Sequence, residues 1–104
     1  MARKHRPHTP DGRYLVSRGV LKRCTDPALD DASRRRHLKR LMQARMRSDR
    51  LAVRLAKEAL GEAGPCWWDD GAPDYSGREP GDTPYADWWL GLGDAERNAG
   101  LTGQ

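Results

Sequence analysis

Between residues 28 and 60 the chain contains neither glycine nor proline, although the full sequence of 104 residues holds 11 of the first and 7 of the second. Nothing in that stretch breaks a helix, so the middle of the chain reads as helical and the two ends as hairpin, turns and loops. On a helical wheel Leu38, Leu41, Met42, Met46, Ala52, Val53, Ala56, Ala59 and Leu60 share an arc of about 140°, an amphipathic face. Asp26-Pro27 and Asp30-Asp31 offer two starting signals, and Gly61 or Gly64-Pro65 a stop. Leu51 and Leu55 lie off the arc, which leaves two arrangements open. One is a single helix over 30–61, roughly 45 Å long. The other breaks near Ser48-Asp49, with Ser48 capping the second half of a helical hairpin.

Before this region, Asp11-Gly12 marks a turn, and two short β-capable runs within 13–24 flank the dipeptide Arg18-Gly19. That pattern predicts a β-hairpin whose apolar face is Tyr14, Val16 and Leu21. After it, 64–92 is a Trp-rich loop ending in a short helix over 84–90, introduced by Thr83-Pro84. A turn of helix over 94–98 closes a single domain spanning 11–98, with 1–10 as a mobile basic arm and 99–104 as a fraying tail. The fold class is α+β, in which the hairpin and the Trp-rich segment pack on the apolar helical face. Core material is scarce, because 11 Leu and 3 Val stand with no Ile and no Phe. The 4 Trp and 3 Tyr must therefore supply much of the interior.

The charges are divided along the chain. Residues 1–57 carry 17 Lys or Arg against 5 Asp or Glu, and 58–104 carry 2 against 10, so a net charge of +4 conceals two opposed halves. Arg34, Arg35, Arg36, Lys39, Arg40, Arg45, Arg47, Arg50, Arg54 and Lys57 cover most of the helical circumference outside the apolar arc, and between residues 32 and 57 only Asp49 opposes them. Solvated helices usually mix both signs. A one-sign face points either to nucleic-acid phosphates or to an acidic protein, including the chain's own acidic half. Phosphate contacts alone confer no base specificity.

In the acidic half, Asp69, Asp70 and Asp74 surround a Gly-Ala-Pro turn. Three carboxylates there suit a hard cation, but their spacing is not that of a calcium loop, and Asp beside Gly ordinarily caps turns. Trp67, Trp68, Trp88 and Trp89 belong to the core or, with these carboxylates, to a protein-binding surface. No nucleophile, general base or phosphate-binding glycine loop accompanies them, so no catalytic residue, metal or cofactor is assigned. A metal-dependent enzyme built on the three aspartates ranks third, behind a nucleic-acid-binding protein and an adaptor that uses the Trp-rich segment.

No apolar run approaches the roughly 20 residues that span a bilayer. The basic N-terminal stretch lacks the apolar core of a secretory signal, and Cys24 and Cys66 are too few for a disulfide scaffold or a zinc quartet, so the expected setting is a reducing cytoplasm.

The words PDGRYLV near the start and GPCWWDDGAPDYS with TPYADWW near the end resemble those of a family of small uncharacterised bacterial proteins. In that family a hairpin-like start and a Trp-rich end flank an Arg- and Ala-rich helical middle. The resemblance covers about half the chain, and this middle departs from it in being shorter and lacking a central glycine. It implies a bacterial cytoplasmic protein but brings no activity, substrate or site residue.

Overall fold

The computed structural model describes residues 5–102. Two strands, β1 (Tyr14–Ser17) and β2 (Val20–Arg23), precede two longer helices, α1 (Asp31–Met46) and α2 (Arg50–Leu60). A 3-10 turn at Pro80–Asp82 and two short helices, α3 (Ala86–Leu90) and α4 (Asp94–Leu101), complete the α+β fold. The elements form two compact units. One comprises the described parts of Met1–Cys24 and Pro73–Gln104, the other Thr25–Ala72.

The first unit is built on the hairpin. Arg18 and Gly19 both have positive φ, 55° and 80°, as a two-residue turn matching the right-handed twist of the strands requires. That turn sets Tyr14 opposite Arg23 and Val16 opposite Leu21. Tyr14, Val16 and Leu21 are fully buried, the face expected from the sequence. An isolated hairpin is marginal in water, and its free edges are a liability. Here both edges are occupied. Beside β1, Val16 N–H donates to the Pro7 carbonyl and Thr9 N–H to the Tyr14 carbonyl; beside β2, Leu21 N–H donates to Arg78 O and Gly77 N–H to Leu21 O.

This edge pairing corrects the expectation of a mobile arm over 1–10. Pro7 and Thr9 are buried because β1 needs backbone partners, while residues 1–4 lie outside the described residues. The expected fraying from residue 99 is corrected as well. Helix α4 continues to Leu101, and its last carbonyls accept from the hairpin turn, Gly100 O from Gly19 N–H and Thr102 O from Arg18 N–H. Those bonds satisfy groups that a helix end otherwise leaves to water. Residues 103 and 104 lie outside the described residues.

The second unit is a helical hairpin, the second of the two arrangements the sequence left open. Asp30 caps α1, its carboxylate accepting from Ser33 N–H at 2.6 Å, and Asp49 caps α2, accepting from Ala52 N–H at 3.0 Å. The cap expected at Ser48 is therefore one residue away. Ser48 instead takes φ 55° and reverses the chain, with Asp49 N–H returning to Ala44 O. At the far end Gly61, at φ 81°, terminates α2, and a side chain there would strike Asp26 and Trp67.

The break changes which apolar residues are core. Leu41, Ala44, Ala56 and Leu60 are buried, with Leu29 and Val53 packed against the cluster. The continuous nine-residue arc is thus overturned: once the chain reverses at 47–49, α2 meets α1 with its own phase. Ala44, outside the arc, is buried, while Leu38, Met42 and Met46, inside it, are exposed. Folding back lets the two halves bury each other's apolar side chains.

Candidate nucleic-acid interface

The Asp caps fix where α1 and α2 begin, and the helices then display the basic side chains radially. Arg34, Arg35, Arg36, Lys39, Arg40, Arg45, Arg47, Arg50 and Arg54 are exposed and Lys57 is half-buried. Two of the ten have a local carboxylate: Arg34 pairs with Asp31 at 2.7 Å and Arg54 with Glu58 at 3.4 Å. Arg36 donates to Ser33 Oγ at 3.3 Å. Among the described residues, Arg35, Arg36, Lys39, Arg40, Arg45, Arg47, Arg50 and Lys57 have no carboxylate within ion-pair distance, 4.0 Å. The described carboxylates of this unit leave the surface largely unneutralised.

One flank of the hairpin is concave. A groove of about 260 Å³ is lined by His37, Arg40 and Gln43 from α1, by Arg47 at its C-cap, and by Ala52, Leu55, Ala56 and Ala59 from α2. Ala52, Ala56 and Ala59 leave space for it, and Arg36, Arg40 and Arg47 fall within about 40° of one another on a wheel through α1 and its C-cap. Three cations thus line up over twelve residues, about 16 Å along the helix axis. His37 Nδ1 is buried without a hydrogen-bond partner among the described residues.

The residues assigned to the Trp-rich region divide between the two units. Trp67, Trp68, Asp69 and Asp70 belong to the helical unit, and Asp74, Trp88 and Trp89 to the hairpin unit. All four Trp are half-buried, so they supply less of the interior than the shortage of aliphatic residues implied. Trp67 and Trp68 meet edge to face at 5.1 Å, and Trp68 Nε1 donates to Ala72 O. Trp89 packs so closely on Gly100 that a Cβ there would lie 3.0 Å from its ring.

The aspartates act as turn caps. Asp70 Oδ1 accepts from Ala72 N–H at 3.0 Å, and Asp74 Oδ1 from Ser76 N–H at 3.0 Å and its hydroxyl at 2.6 Å. Partial burial by itself would raise the Asp74 carboxyl, but the Ser76 hydrogen bonds, the Arg23 guanidinium and the Tyr14 hydroxyl outweigh it and hold the group below its ordinary range. A carboxyl held ionised is poorly placed to donate a proton. Asp69 is exposed, and among the described residues no group of three His, Cys, Asp or Glu converges to hold a metal ion. Cys24 and Cys66 are half-buried, and among the described residues neither is joined in a disulfide.

A polar network around the hairpin was not anticipated from the sequence. The Arg23 side chain is buried and lies 3.7 Å from Asp74. Strand alternation carries the signal, since Arg23 shares the inward face with Leu21. Tyr14, Tyr75 and Tyr85 pack mutually, with ring centroids 5.5–6.4 Å apart. Tyr85 Oη donates to Asp11 Oδ2 at 2.6 Å. Burial and the Asp11 carboxylate push the Tyr85 hydroxyl well above the usual phenol range. Burial opposes ionisation of Asp11, but bonds from Tyr85, Thr9 and the Arg13 amide prevail and lower its carboxyl. The network ties residues 9–13 to 83–85 and presents no nucleophile.

Comparison with known proteins found no matching family model, no matching curated sequence and no matching solved structure.

Proposed function

We propose that the chain is a small non-catalytic binding protein whose helical hairpin α1–α2 lies against nucleic-acid phosphates without clear sequence preference. The observation that carries this reading is the exposed, one-sign surface: ten Lys or Arg against Asp49 alone between residues 32 and 57. Among the described residues, eight of those cations have no carboxylate within ion-pair distance. Holding so many like charges on two packed helices destabilises the hairpin, and a polyanion relieves that repulsion while releasing its condensed counterions. The aligned Arg36, Arg40 and Arg47 beside the groove give a phosphate backbone a track to follow. The cytoplasmic setting belongs to the same proposal.

The test is binding of a random-sequence DNA duplex and an RNA duplex by fluorescence anisotropy over a salt series. Four simultaneous phosphate contacts on DNA give a slope of log affinity against log salt near −3.6, about a 150-fold loss between 50 and 200 mM. Base sequence should alter affinity little. Absence of binding to both duplexes at 50 mM salt would transfer the function to a protein partner.

A further inference from the structure

The basic surface does not account for the other unusual feature of α1. Leu38, Met42 and Met46 stand at i, i+4 and i+8, and they are 39%, 63% and 85% exposed. On a helix these positions form a single slanting stripe. Arg35 and Lys39 lie in the row along one side of it and Arg45 in the row along the other, while Arg34 stands one turn before Leu38 in the stripe's own row. Its centre lies roughly 140° around the helix from Arg36, Arg40 and Arg47, so the groove and the stripe occupy different flanks.

Thioether and aliphatic side chains offer phosphates nothing, so the nucleic-acid reading leaves the stripe unexplained. A second copy of the hairpin is a poor cover, since it would bring four more cations against Arg34, Arg35, Lys39 and Arg45. Three apolar residues in one narrow row, bordered by cations on both sides, match the width of one helix rather than a broad lipid face. Exposed methionines adapt to differing apolar partners because the side chain is unbranched and polarizable.

We propose that this stripe docks one acidic amphipathic helix of a partner protein. Its apolar side chains at i, i+4 and i+8 cover Leu38, Met42 and Met46, and its bordering Asp and Glu side chains meet Arg34, Arg35, Lys39 and Arg45. Charge complementarity sets the sign of the partner, and the apolar row sets its register. The inference stands on the exposed stripe; it shares Arg34, Arg35, Lys39 and Arg45 with the basic surface, while Arg36, Arg40 and Arg47 lie on a different flank.

The probe is a synthetic helical peptide carrying leucines at successive i, i+4 and i+8 positions with glutamates beside them. A scrambled peptide of the same composition is the control, and both are titrated into the full chain by fluorescence anisotropy and by NMR of the methionine methyl groups. The patterned peptide should bind in the micromolar range, shift the Met42 and Met46 methyl signals, and exceed the scrambled peptide at least tenfold in affinity. Met42→Gln/Met46→Gln keeps side-chain length and helix propensity at exposed positions. It should weaken the peptide at least tenfold and leave duplex DNA affinity unchanged. Equal affinity for the two peptides, or for wild type and double variant, overturns the proposal, because attraction would then rest on charge alone. So does a double variant that loses DNA affinity while retaining the peptide, which would assign the stripe to nucleic acid.

Discussion

Replacing Arg36, Arg40 and Arg47 together with Gln removes three aligned positive charges while preserving helix propensity, since all three side chains are exposed. If each contacts one phosphate of a DNA duplex, the loss follows from counterion release. Each contact contributes about 0.9 to the salt slope, so the slope should become shallower by about 2.7. At 100 mM salt this corresponds to about 500-fold weaker binding, or about 3.7 kcal/mol, and at 200 mM the deficit should shrink to about 80-fold. Anisotropy titrations of wild type and variant across 50–300 mM salt measure both quantities, with circular dichroism confirming that α1 and α2 persist. Parallel salt plots for the two folded proteins would refute the reasoning, because the three arginines would then release no counterions.

Leu41→Asp places a charge in the Leu41–Ala56–Leu60 cluster and should unfold the helical unit, read as lost helical ellipticity; a folded variant would show that the cluster is not its core. Ser48→Gly relieves a positive-φ strain at the reversal and should raise stability by about 0.5–1 kcal/mol in urea unfolding. Asp11 and Asp74 are depressed below their ordinary value of 3.8, so their contribution is present above about pH 4 and fades as pH falls through the lower folded values. Tyr85 is raised above its ordinary 10.0, so its contribution is complete below that value and is lost as pH rises beyond it. Chemical unfolding across pH should show both losses, and Asp11→Asn should flatten them; identical curves for wild type and variant would remove the Asp11–Tyr85 bond from the account.

The hairpin was legible in the sequence because its signals agree. Alternating residues, a two-residue turn ending in glycine and a single buried face all specify the same register. The reversal at 47–49 was only half legible. Both sides of it are strongly helix-forming, and Ser48-Asp49 is a break only if the second half finds something to pack against, which is a tertiary matter. That choice decided the core, moving Ala44 inward and Leu38, Met42 and Met46 outward. The basic surface was legible residue by residue, yet which cations share a flank depends on where α2 lies. The buried Arg23 was readable from alternation with Leu21, although an arginine beside a short strand ordinarily suggests the surface. Edge pairing by residues 7–9 and 77–78 was not readable, because Pro7, Thr9, Gly77 and Arg78 contribute backbone atoms whose side chains carry no pattern.

The most direct test of the central claim is an amide NMR titration of the full chain with a short random-sequence DNA duplex at 50 mM salt. Perturbed amides should cluster in 34–57, strongest around Arg36, Arg40 and Arg47, and should revert as salt is raised. Perturbations confined to the β-hairpin and the Trp-bearing segments, or none at any salt, would contradict it.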